Sequence, residues 1–240
     1  MKTYLLFRLL SIATLIAYAI LRNGSHSGWA IDLLLFNSIA IFALISIFLS
    51  PIPDDSQGRL GIAAAILLWT IGSFVSSLTS FFTINGPFNL DLIANACYSL
   101  FYPCALFGIS RSLLHRRVSK SLEILDTLII TLGFTTIVAS FLLRPAMSGI
   151  SGTRFEVFFA ILYPVGDVIL LISTITLTFL RSISRRSLLL LIGILTYAVS
   201  DFYFLYLTEK GAYQLGAATD MGWLLGFIII AESFWHPVDE

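Results

Sequence analysis

Residues 157–180 read VFFAILYPVGDVILLISTITLTFL. The run holds one charged side chain, Asp167. A helix of about 20 mainly apolar residues, rising 1.5 Å per residue, matches the hydrocarbon thickness of a bilayer. A strand of a membrane barrel would be about ten residues long and alternate apolar with polar. This run is longer than that and apolar all round. It predicts a membrane-spanning helix over 155–180, with an acid twelve residues inside it.

Working outward, seven further stretches have the same character: 3–21, 29–49, 60–84, 90–114, 122–143, 187–208 and 219–235. Short turn-forming clusters separate them, such as Asn23-Gly24, Pro51 to Asp55, Asn85-Gly86-Pro87 and Ser148 to Gly152. The expectation is an all-α, polytopic integral membrane protein of about eight transmembrane helices, one transmembrane domain over residues 1–240. The first stretch reads as a retained helix. Arg8 interrupts its apolar region, and no small-x-small cleavage pattern precedes Arg22. No loop is long enough to hold a soluble domain.

Composition agrees with this reading. Apolar residues make up 58% of the 240 residues and charged residues 12%, against about 25% charged in an ordinary soluble domain. A chain of this size cannot enclose so much apolar surface in a water-soluble core. The net charge of zero gives nucleic-acid binding no electrostatic support. Cys97 and Cys104 lie seven apart in one stretch, roughly 10 Å along a straight helix, too far for a disulfide.

Lys and Arg set the expected orientation. Lys2, Arg8, Arg59, Arg111, Arg116, Arg117, Lys120, Arg181, Arg185 and Arg186 fall on one side. Arg22, Arg144, Arg154 and Lys210 fall on the other. The richer side is assigned to the cytoplasm, which places both termini there. The expected location is a bacterial inner membrane, with membrane lipids as the first partners.

An ionisable group within the bilayer costs roughly 2.5–3.5 kcal/mol on insertion scales and marks a candidate site. Asp167 and Asp201 qualify. Counted from the ends of their segments, their depths differ by about 9 Å. Side chains lean toward a helix N-terminus, so the two acids lean toward each other. Tyr163 and Asp167 share a face of 155–180. Asp91, Asn95, Tyr98 and Tyr102 line one face of 90–114, and Trp69, Ser73, Ser76 and Ser80 one face of 60–84. Tyr197 and Asp201 share a face of 187–208. Such stripes point to a shared interior. The candidate ligand-binding set is Asp167, Asp201, Tyr163, Tyr102, Asn95 and Tyr197, for a small polar ligand, a lipid headgroup or a cation. The acids could equally serve as interhelical hydrogen-bond partners. Pro103 and Pro164, each directly after a tyrosine, are mid-helix kink candidates.

Other chemistry finds no footing. His26, His115 and His236 lie in loops or at the end of the chain, so neither a metal nor a cofactor is expected. The sequence has no H-E-x-x-H helix, G-x-S-x-G elbow or phosphate-binding glycine loop.

Several short motifs occur in a telling order. They are Leu125-Asp126-Thr127-Leu128, Tyr163-Pro164-Val165-Gly166-Asp167-Val168-Ile169-Leu170, Ser200-Asp201-Phe202-Tyr203, Asp220-Met221-Gly222-Trp223-Leu224-Leu225-Gly226-Phe227 and His236-Pro237. This series, over roughly 90–237, resembles the N-terminal multi-helix membrane region of actinobacterial diguanylate cyclases and phosphodiesterases with GGDEF and EAL domains. The resemblance implies a membrane-embedded sensory input module with a cytoplasmic signalling partner, and a homodimer is compatible with it. No GGDEF or EAL sequence is present, so no catalytic activity carries over. Gly166-Asp167-Val168-Ile169-Leu170 is also similar to the G-D-x-x-L segment of lysoplasmalogenase-like membrane hydrolases. That resemblance implies a lipid hydrolase in which Asp167 and Asp201 divide the roles of acid and base. A small transporter with the same pocket is a third reading.

Overall fold

A computed structural model describes residues 3–23, 28–52, 56–83, 89–114, 125, 129–130, 132–133, 136, 154–180 and 183–237. Seven helices account for nearly all of these residues. They are α1 (Thr3–Asn23), α2 (Phe36–Leu49, extended at its start by a π-helical segment Ala30–Leu35), α3 (Ser56–Phe81), α4 (Leu90–Leu114), α5 (Arg154–Leu180), α6 (Arg185–Glu209) and α7 (Ala218–Ser233). The expected helix over 122–143 lies mostly outside the described residues. The few of its positions that are described are helical.

Six of these stretches are long and apolar enough to cross a membrane: Leu5–Asn23, Ala30–Leu49, Ser56–Phe81, Leu90–Leu113, Val157–Phe179 and Arg185–Thr208. The chain is therefore all-helical and multi-pass in character. Its polarity supports this. Leu188, Ile192, Leu195, Val199, Tyr203 and Tyr206 recur every three or four residues along α6 and face outward. Leu9, Ile12, Ile16 and Ile20 do the same on α1. Polar side chains such as Thr174, Thr178 and Ser46 point inward. That arrangement suits lipid outside and packed helices within.

Several boundaries differ from expectation, for local reasons. The helix expected at 60 starts at Ser56. Its polar first turn is used for packing, with Arg59 donating to the carbonyls of Ser50 (3.2 Å) and Ile52 (2.7 Å). The helix expected at 187 starts at Arg185, after a capping box in which Ser184 and Ser187 bond reciprocally. Pro103 and Pro164 lie inside α4 and α5, whose helical assignment continues through both. The segment expected at 29–49 as one α-helix begins instead as a π-helix.

The helices pack in chain order, α1 on α2, α2 on α3, α3 on α4, α4 on α5, α5 on α6 and α6 on α7. The order closes where α7 packs against α1 and α2. Helices α3 and α4 come closest at Gly61 and Gly108. A Cβ on Gly108 would sit 2.5 Å from the Ile62 nitrogen. Only glycine permits that approach. Helix α7 lies deep in the assembly, with Leu224, Phe227 and Phe234 fully buried. Its C-terminal end is held by three neighbours. Arg8 of α1 makes a two-pronged ion pair with Glu232. The Ser50 hydroxyl, just after α2, donates to the Phe234 carbonyl. The buried Arg186 guanidinium of α6 sits 4.4 Å from the Phe234 ring centre.

Candidate functional site

The acid pair is brought together. Asp167 on α5 and Asp201 on α6 are both buried, and their carboxyl groups are close enough to interact electrostatically. Depth counted from the membrane surfaces exaggerated their separation. Asp167 lies thirteen residues before the end of α5 and Asp201 sixteen after the start of α6. Measured from these two helix ends, which adjoin in the chain, the difference is three residues, about 4.5 Å. The opposed lean of the two side chains closes the rest.

Tyr102 on α4 sits at the centre of the group. Its hydroxyl donates to Asp167 Oδ1 at 3.2 Å, with Asp201 and Tyr197 close enough to interact with it electrostatically. The buried Asp167 Oδ2 has no N–H or hydroxyl donor among the described residues. Gly166 makes room for the Tyr102 ring, which lies where a Cβ on residue 166 would be.

The other predicted residues form a second layer. The Tyr163 hydroxyl donates to Asn95 Oδ1 at 2.6 Å, linking α5 to α4. Its ring stacks on Tyr102 at 6.4 Å. Tyr197 stacks on Phe101 at 4.8 Å and is buried. All six predicted residues thus belong to one neighbourhood. Asp91 and Ser80 do not join it, because they are exposed near the ends of their helices.

A second polar group was not anticipated. Asp32, in the π-helical segment, and Asp220, in the first turn of α7, are each 2% exposed. Asp32 accepts from the Tyr18 hydroxyl at 3.1 Å and pairs with Arg22 at 3.2 Å. Asp220 accepts from the Gly216 N–H at 2.6 Å and from the hydroxyls of Tyr213 (3.1 Å) and Thr219 (3.2 Å). Arg22 also donates to the Leu215 carbonyl, next to Gly216. Gly216 holds a positive φ of 81° with the Arg22 guanidinium packed against its α-carbon. A side chain there would meet both obstacles. In the α6–α7 connection, burial and the nearby Asp220 carboxylate raise the Tyr213 phenol above its ordinary pKa, keeping it a hydrogen-bond donor.

A cavity of about 50 Å³ lies between Asp32 and Asp220. Its walls include Trp69, Tyr98 and Trp223, and Ser73 and Ser77 of α3 face it. Trp223 lines the cavity, 5.8 Å from Trp69, and its indole N–H, buried beside Asp201, forms no hydrogen bond among the described residues. The interior is therefore polar from the Arg22 end to the acid pair. It presents four carboxyl groups able to accept hydrogen bonds, two of them neighbours. No group of three or more metal-ligating side chains occurs among the described residues. Compared with protein-family models, with curated proteins and with solved structures, the chain finds no match in any of the three.

Proposed function

We propose that this chain is a sensory, ligand-binding module of a bacterial inner membrane, which holds a small polar ligand in its interior and passes the change to the cytoplasmic side. The observation that carries the reading is the buried group of Asp167, Asp201 and Tyr102, with Trp223 set between it and a cavity inside the helix assembly. Helix α7 supplies Trp223 and Asp220 at one end. At its other end it supplies Glu232, tied to Arg8. The excess of Lys and Arg assigns the Arg8 end to the cytoplasm. A ligand that binds one placement of α7 better than another would shift the population toward it.

The test is native mass spectrometry of the protein in mild detergent, wild type beside Asp167→Asn. A small molecule or lipid bound to the first and absent from the second is the expected result. Identical ligand-free spectra would sink the reading.

The contact between the acids favours a second reading, a lipid hydrolase with one carboxyl as acid and the other as base. It predicts turnover of a lysoplasmalogen, abolished equally by Asp167→Asn and Asp201→Asn. Absence of turnover by the wild type excludes it.

A further inference from the structure

The cavity between Asp32 and Asp220 is chemically distinct from the acid pair, and its walls say more about a ligand than the pair does. We infer that it is a binding site for a small ammonium-type cation of the size of methylammonium.

Charge is the first argument. Two carboxylates border the cavity. Among the described residues, Arg22 is the cationic side chain near them: it pairs with Asp32 and also acts on Asp220. One cation against two buried carboxylates leaves one negative charge over, and a buried uncompensated charge is costly. A bound cation would neutralise it.

Hydrogen bonding is the second. The hydroxyls of Tyr18 and Tyr213 already donate to Asp32 and Asp220, so toward the cavity they offer lone pairs. Ser73 and Ser77, each 5% exposed, face the cavity from successive turns of α3. Neither hydroxyl is hydrogen-bonded to any described residue. These are buried polar groups awaiting a partner. Carboxylates, phenols and serine hydroxyls together make a surface rich in acceptors, and an ammonium group carries only donors.

The aromatic walls are the third. Trp69 meets Trp223 edge-on at 63° and Tyr98 at 58°, with ring centres 5.8 and 6.1 Å away. Rings set at steep angles around a small space form the kind of cage that holds alkylammonium groups through the negative faces of the rings. An alkali-metal ion would gain less from such walls and would want a tighter set of oxygens. Size is consistent, since about 50 Å³ is room for a few waters or their equivalent.

The backbone provides the fourth argument. Asp32 sits in a π-helical segment, Ala30–Leu35. Such segments are rare and concentrate at functional sites. Here the wider turn accompanies a carboxylate that faces the cavity near the start of a helix otherwise aimed at packing.

The site stands whether or not Asp167 and Asp201 signal. Its test uses the full chain in detergent and tryptophan fluorescence, since Trp69 and Trp223 line the cavity. Methylammonium chloride is titrated at constant ionic strength, balanced with choline chloride, whose cation is too large to enter. A parallel series replaces methylammonium with sodium. Saturable change with methylammonium alone is expected. Asp220→Asn should weaken it by about tenfold, the loss of one charge-assisted contact. Ser73→Ala and Ser77→Ala, which leave the helix intact, should each weaken it severalfold and guard against a misfolded Asp220→Asn. Three results would overturn the assignment: no saturable change in the wild type, an equal midpoint in the sodium series, or a midpoint untouched by both serine variants.

Discussion

Gly166→Ala probes the acid pair without touching an acid. A Cβ at residue 166 would lie 2.5 Å from Tyr102 Cδ1 and 2.6 Å from Cε1, and ordinary contact begins near 3.4 Å. The ring must therefore move by about 0.9 Å in a close-packed interior. Tyr163 stacks on one side of it, and Phe101 packs edge-on at 5.3 Å. The hydroxyl already sits 3.2 Å from Asp167 Oδ1, so a shift of that size takes it beyond hydrogen-bonding distance. Overpacking costs about 1–3 kcal/mol, and a hydrogen bond to a carboxylate is worth about 1.5–3 kcal/mol. The two overlap, because one displacement relieves the first by giving up the second. Against them, Ala is favoured over Gly in a helix by about 1 kcal/mol. The net expectation is destabilisation of about 1–3 kcal/mol. In a Tyr102→Ala background the ring is gone, and the same change should stabilise by up to about 1 kcal/mol. Unfolding in mixed micelles by titration with SDS measures all four proteins. A Gly166→Ala change of the same sign and size in both backgrounds would refute the packing argument.

Tyr163→Phe removes the 2.6 Å bond to Asn95 and should cost about 1 kcal/mol, read in the same unfolding assay. No loss would show that the bond is formed equally well with water. Ser184→Ala deletes the N-cap of α6 and should lower stability by about 1 kcal/mol, while Ser184→Asp should retain most of it. A double-mutant cycle on Arg8→Ala and Glu232→Ala should give a coupling of about 0.2–1 kcal/mol for a partly exposed pair, shrinking as salt is raised. A coupling that ignores salt would place the pair in a much drier setting than its exposure indicates.

How much of this fold could be read from the chain depends on where the signal resides. Long apolar runs bounded by Pro and Gly clusters mark helices almost by themselves, as Leu90–Leu114 illustrates, with both ends as expected. Ends displaced from expectation fall where tertiary packing recruits polar residues. Gln57 and Arg59 read as loop, yet Gly58 between them packs against Ser112 of α4 and extends the helix inward. The π-helical segment has no signal of composition at all. It arises where α1, α2 and the approach to α7 must all present polar groups to one another, a demand visible only once the helices are side by side.

The two polar groups differ in legibility for the same reason. Asp167 and Asp201 stand far from any helix end, so the cost of placing them in an apolar run singles them out. Asp32 and Asp220 fall within the first few residues of their segments, where an acid costs little and suits the positive end of the helix dipole. Depth alone reads them as surface residues. Their burial comes from the connections. Tyr18 and Arg22 lie four apart and so share a face of α1, and both reach Asp32 across the turn. Arg22 then reaches on to the Leu215 carbonyl, next to the glycine that feeds Asp220. By charge count alone, Arg22 is one of four basic residues on the poorer side. The legible clue was a tyrosine and an arginine one turn apart, facing an acid across a short loop. That pattern marks a cation already engaged with a partner, and an acid whose burial is compensated in advance. The Asp220 carboxylate shares that one cation with Asp32. For that reason the structure directs attention to the cavity between the two.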